Sequence, residues 1–417
     1  MIARRQFLAG AAAAALPLPS LASAAARVLV VGGGFAGASC ARWLKRFDPD
    51  LQVTLVEANP TFTACPKSNE VLAGLRDLDR QIFGYQALRR AGIDLHFSAA
   101  REIDGAARIV LLEDGTRLSY DRMVLAPGID FRWDAIPGYD QTAAEILPHA
   151  WKAGPQTELL RRQLTAMEDG GLVVISAPAN PYRCPPGPYE RASLIAHYLK
   201  RHKPKSKLMI LDAKDGFSKQ RLFQSAWQEL FPGLIEWVPL SQGGRLVSVD
   251  PARQTLTTEF ASVTAAVANV IPPQRAGRIA AVAGTADQTG WCPIDPLTCE
   301  SALVPAIHVI GDAAIAGAMP KSAFAANAQA KFCAAALVAL LRGETPEPPL
   351  LINACYSLVA PGYGISVTGV YQAEGGKWSE IPGSGGISAL PAPPELRAKE
   401  AELAHGWFNT ITADIFG

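Results

Sequence analysis

The chain has 417 residues, 49% hydrophobic and 18% charged, which excludes a disordered tail and exceeds what one small core holds. Lys plus Arg number 39 against 38 Asp plus Glu, so the chain lacks the basic excess with which nucleic-acid binders displace counterions. Seven cysteines is an odd count, and a plain set of paired structural disulfides leaves one thiol to be explained.

The chain opens with Arg4-Arg5, then Phe7-Leu8 and an Ala-rich run broken by Pro17 and Pro19. Ala22-Ser23-Ala24 fits a small-residue cleavage site. The run is short for a bilayer span of about 20 residues. The paired arginines resemble a twin-arginine export signal. A signal peptide is therefore expected over 1–26 and a periplasmic location for the rest, where disulfides are permitted. Its removal deletes two arginines and no acid, leaving a slightly negative chain.

Arg27 to Val31 reads as a buried parallel strand. Gly32-Gly33-Gly34-Phe35-Ala36-Gly37 and a helical stretch follow, then a strand, Gln52 to Glu57, that ends in an acid. In this βαβ unit Gly32 permits a tight turn, Gly34 lets the backbone approach a pyrophosphate, and Gly37 lets helix and strand pack closely. The helix N-terminus offers amide donors to phosphate, and Glu57 can accept hydrogen bonds from ribose hydroxyls. Two later segments, Arg122 to Gly128 with Ala126 at its turn, and Ile307 to Ala313 with Gly311-Asp312, resemble the further motifs of two-domain flavoproteins of the disulfide-reductase type. That resemblance makes the cofactor FAD rather than NAD and puts Asp312 at its ribityl–phosphate region.

A second α/β unit has strands at Gly171–Ser176 and Lys207–Asp212 around a helix over 190–202. Its first turn runs through Cys184-Pro185-Pro186-Gly187-Pro188 instead of a Gly-rich loop. Prolines lack the N–H groups that cradle a pyrophosphate, so the fold is expected to persist with nicotinamide binding lost. Beyond residue 340 the composition changes: Gly362 to Val370 reads as strand, 373–395 is rich in Gly, Pro and Ser, and 395–410 is a candidate helix. The expected organisation is an α/β chain with a discontinuous first unit (27–140 and 262–340), a second unit (141–261) and a C-terminal α+β interface domain (341–417).

Cys184 sits in the Pro-rich turn, Cys355 at the start of the C-terminal domain, and Cys65 after the second strand, as a buried thiol or a redox group. Glu190 follows Cys184 at a helix start, where it either complements the dipole or transfers protons. Cys40 and Cys333 read as buried small hydrophobes, and Cys292 and Cys299 either pair or stay free. No spacing makes a zinc site or a c-type haem attachment.

Long strings, among them Arg183 to Ser193, Ile271 to Gly277, Gly290 to Pro293, Met319 to Ser322 and Cys355 to Leu358, resemble the flavoprotein subunit of flavocytochrome c sulfide dehydrogenases over essentially the whole mature chain. The resemblance implies two Rossmann-like domains in a glutathione-reductase-like arrangement. It implies FAD linked through Cys65, a redox-active Cys184–Cys355 disulfide with Glu190 beside it, and Trp407 near the active site. A bond between those two cysteines is otherwise a structural staple worth about 4–5 kcal/mol. Lys321 is either an exposed cap or a positive charge at the flavin edge. The implied activity is sulfide oxidation to polysulfide or zero-valent sulfur, with electrons leaving to a c-type cytochrome on a partner chain. The rivals are a sulfide:quinone reductase, disfavoured by Glu395, Glu400, Glu402 and Asp414 in the final segment, and a flavin-bearing accessory protein that exchanges thiols with a sulfur-oxidising complex.

Overall fold

The computed structural model describes residues 25–417. The export segment expected over 1–26 therefore lies, but for its last two residues, outside the described residues. Strand β1 (Arg27–Val31) has four of its five residues buried and lies between β2 (Gln52–Glu57) and Arg122–Leu125. With Asp94–Phe97 and Ile307–Val309 at the edges, these make a five-stranded sheet that is parallel throughout. Helix α1 (Phe35–Phe47) packs its buried side, including Ala38, Cys40, Ala41 and Leu44, against helix Ala323–Leu341. The latter is long and apolar enough to cross a bilayer, yet it also packs against Leu350–Ala360 and serves as a core helix.

The second unit is a four-stranded parallel sheet in the order Ile235–Val238, Lys207–Asp212, Leu172–Ala177, Val267–Val270. Helix Gly187–His202 packs against it. Sheet pairing shifts one expected boundary. The sequence assigns residues from 262 to the first unit, but Ser262–Thr264 completes an antiparallel sheet with Thr255–Thr258, and Val267–Val270 pairs with Leu172–Ala177. A short apolar strand is equally at home in either parallel sheet, so only its pairing assigns it.

The C-terminal part is an antiparallel hairpin, Leu350–Ala360 and Tyr363–Glu374, extended by Lys377–Glu380 and Gly386–Ile387. Helix Pro394–Phe416 lies against it, longer at its C-terminal end than its expected span. That helix is held by a buried ion pair, Arg397 Nη1 to Glu400 Oε2 at 2.9 Å, with side chains 3% and 9% exposed. Glu400 also accepts from Ser366 and Ser388, and Arg397 donates to the Ala389 carbonyl. Removing one partner of such a pair strands the other charge. Arg397→Leu is expected to cost about 3–5 kcal/mol, read as a lower urea midpoint.

Candidate active site

The three units meet at a cavity of about 700 Å³. One wall is the β1–α1 turn. Gly32 has φ +102, and a Cβ there would lie 2.3 Å from the Ala126 carbonyl oxygen; a Cβ on Gly37 would lie 1.8 Å from that of Gly32. Gly34 meets only the Phe62 ring, at 3.5 Å, and its surface faces the cavity with Phe35 and Ala36. Glu57 closes the turn by accepting from the Gly33 amide at 2.7 Å, and it lines the same cavity.

Beside this turn lies Gly311-Asp312, where a Cβ on Gly311 would come 2.9 Å from the Ala36 Cβ. Gly311 has φ +76, and its amide donates to Gln329 Oε1 at 2.7 Å. Asp312 Oδ1 is buried without a hydrogen-bond partner, while its Oδ2 lies 3.9 Å from Arg183. Burial holds its carboxyl above the usual range. An orphaned buried acceptor beside a Cβ-free backbone turn, both lining one elongated set of cavity residues, fits a dinucleotide such as FAD. Lys321 is not among the lining residues. Its ammonium donates to the carbonyls of Asp312 (2.7 Å) and Ala314 (2.8 Å) over the Trp291 ring, which braces the Asp312 turn from outside. Burial pushes it down to about 8.

Cys65, Cys184, Glu190, Cys355 and Trp407 all line this cavity. Trp407 lies parallel to Phe324 with ring centroids 6.1 Å apart. Cys65 Sγ is 3.7 Å from the Trp151 carbonyl oxygen. Cys184 has φ 58 in the Pro-rich turn, and its amide donates to the Lys321 carbonyl at 2.8 Å. Burial, then the nearby charges of Cys355 and Glu190, push its thiol up. Glu190 stands in the first turn of its helix and accepts from Asn69 Nδ2 at 3.1 Å and from the Leu358 amide at 2.8 Å. Burial outweighs these bonds and raises its carboxyl above the usual range.

All seven cysteines are free thiols in this structure. Cys299 meets Cys333, which also contacts Cys40, inside the first unit's core, while Cys292 lies beside Thr285 instead of pairing with Cys299. Sequence reasoning gave no role to Arg191, Asn69 or Lys219. Arg191, 2% exposed, donates to Asn69, Asn269 and the carbonyls of His149 and Ala150, tying the turn to its surroundings. Its burial was not legible because a charged residue on a helix is ordinarily solvated. In the second unit the end of the Lys207–Asp212 strand is closely packed by side chains. Buried Asp212 accepts from Tyr189 (2.5 Å), Trp237 (2.9 Å) and Lys214 (2.6 Å), and Tyr189 stacks on Phe217.

Fold and cavity together define a flavoprotein of the pyridine nucleotide-disulphide oxidoreductase class, and the family model of that name matches residues 26–174. Two further models match: the central part of the sulfide dehydrogenase [flavocytochrome c] flavoprotein chain over 157–272, and the flavocytochrome c sulphide dehydrogenase flavin-binding part over 347–416. The chain belongs to the flavocytochrome c sulfide dehydrogenase flavoprotein family. It is 58% identical over 45 residues to the flavoprotein chain of that enzyme from Chlorobaculum thiosulfatiphilum, covering 11% of this chain and 94% of the curated sequence. It is 22% identical over 294 residues to the mitochondrial sulfide:quinone oxidoreductase of Mus musculus, covering 68% of this chain and 65% of that protein. The Aquifex aeolicus sulfide:quinone oxidoreductase structure shares the fold, with TM-score 0.72 at 17% identity over 94% of this chain and 92% of that one.

The glycines separate fold from cofactor. Gly37→Ala is expected to lower stability by about 1–3 kcal/mol because its Cβ meets backbone. Gly34→Ala is expected to unfold at the wild-type temperature yet retain less flavin, as read from absorbance per protein.

Proposed function

We propose that the chain is the flavoprotein subunit of a periplasmic sulfide dehydrogenase. It oxidises sulfide to polysulfide or zero-valent sulfur and passes electrons to a c-type cytochrome on a partner chain. The carrying observation is that Cys184 and Cys355, on different units, line the same cavity as the Gly32–Gly37 turn and Asp312. The family supports both the flavin and the cytochrome partner.

In the oxidised enzyme Cys184 and Cys355 form a disulfide, and hydrosulfide attacks one sulfur and frees the other as thiolate. Glu190, buried beside the pair, keeps its proton to higher pH than a free glutamate and exchanges it with the sulfur species. Gly34, Glu57 and Asp312 would hold FAD, with Cys65 as its covalent anchor. Bound FAD supplies a two-electron acceptor that can release electrons singly. The packed surroundings of Asp212 support the view that these electrons do not come from a nicotinamide.

A sulfide:quinone reductase is the alternative, on the strength of the mouse relative. The final helix exposes Lys399 and Glu402 beside Leu396 and Leu403, a mixed face ill suited to membrane seating. Purified protein is expected to reduce cytochrome c with sulfide and to ignore a soluble quinone; the reverse result removes the proposal. Acid-denatured protein should carry the mass of FAD on the peptide containing Cys65.

Glu190→Gln is expected to lower kcat/KM for sulfide roughly 100-fold and to abolish an ionisation limb lying above the ordinary glutamate range. The stability sign follows from burial. The folded-state pKa exceeds the unfolded one, so wild type loses stability as pH rises between the two, and the glutamine variant does not. Thermal unfolding across pH reads this directly.

A further inference from the structure

Lys219 carries a buried ammonium that no carboxylate meets at ion-pair distance among the described residues, although its field reaches Glu190. It precedes helix Gln220–Leu230 with φ 62, and the residue is 6% exposed. Its Nζ donates to the Cys355 carbonyl and to Ser357 Oγ, each at 2.8 Å, and lies 3.7 Å from Cys355 Sγ. Those three neighbours match the three N–H donors of an ammonium. Among the described residues it joins no ion pair. A buried cation is costly unless an anion meets it. Of the three atoms it touches, only Cys355 Sγ becomes an anion when a disulfide bond to it is broken.

Resting on the redox disulfide of the proposed function, we propose that Lys219 is a catalytic residue: it receives the negative charge that develops on Cys355 Sγ when a sulfur nucleophile attacks Cys184. It thereby makes Cys355 the leaving sulfur and Cys184 the one that gains the new sulfur. In that step the nucleophile's electron pair forms a bond to Cys184 Sγ. The Cys184–Cys355 bond breaks, and its electron pair leaves on Cys355 Sγ. With hydrosulfide the products are a Cys184 persulfide, which keeps the hydrosulfide proton, and a Cys355 thiolate. The incoming sulfur is oxidised and Cys355 is reduced, so the step balances without another reactant.

The opposite attack would place the charge on Cys184. Burial and the adjacent Glu190 disfavour an anion there, and the fields of Lys219 and Arg183 offset this only in part. Lys219 was not legible beforehand, because nothing in the spacing of Ser218-Lys219-Gln220 points to a strand of the C-terminal hairpin.

Sulfite is the probe, because it cleaves a disulfide into one S-sulfonate and one thiol that can be mapped. Anaerobic oxidised holoenzyme is treated with sulfite, quenched in acid, alkylated and digested, and the two peptides are weighed. Wild type should carry the sulfonate on Cys184 and the alkyl group on Cys355. Lys219→Met should react roughly 10- to 100-fold more slowly and divide the sulfonate between both cysteines, and Lys219→Arg should restore the preference. A lysine that merely supported the fold would leave the position of the sulfonate unchanged. Sulfonate on Cys355, or an even division in wild type, overturns the proposal whether or not any variant folds. An untreated air-oxidised enzyme with no Cys184–Cys355 bond would instead overturn the disulfide reading beneath it.

Discussion

One carboxylate ties the molecule together. Glu190 belongs to a helix of the second unit, accepts from Asn69 of the first, and accepts from the Leu358 amide of the C-terminal hairpin. Hydrogen bonds to a charged group contribute about 1.5–3 kcal/mol each, and an unmatched buried charge costs more than that. The three units therefore have one arrangement in which this acid is satisfied. In that arrangement the turn bearing Cys184 and the strand bearing Cys355 close over one cavity. The group proposed to move protons thus also links the units that carry the two cysteines proposed to react.

The surroundings of this acid follow the same logic. Arg191, the next residue, spends its guanidinium on Asn69, Asn269 and two carbonyls, so it steadies the Pro-rich turn without neutralising Glu190. Lys219 crosses from the second unit to the hairpin and grips Cys355 through carbonyl and thiol. Lys219 and Arg183 thus bring positive charge to the cysteines of the cavity, while Glu190 brings a buried acid, which is the arrangement the proposed thiolate chemistry requires.

The second unit has the parallel sheet of a dinucleotide fold with a differently built turn. Its parallel sheet is intact, but Asp212, at the end of the second strand, is enclosed by Tyr189, Lys214 and Trp237. Aromatic side chains pack there, and prolines replace amide donors in the turn. This packed unit presents Cys184 to the cavity. The first unit keeps its close helix–strand approach at Gly37 and an orphaned acceptor at Asp312.

The sequence by itself determined the local units. Strand, glycine turn, helix and terminal acid occur in a fixed order over a short stretch, and hydrophobic period and turn chemistry are local properties. The same holds for the Pro-rich replacement and, through whole strings such as Arg183 to Ser193, for the family. Tertiary structure alone decided that Val267–Val270 pairs in the second sheet and that Lys321 braces the Asp312 turn from outside the cavity. It alone brought Lys219 to Cys355 and gathered Cys40, Cys299 and Cys333 into one core. Those outcomes depend on contacts between residues far apart in the chain, and a charged side chain carries no local mark of whether folding will leave it in water or bury it against a sulfur.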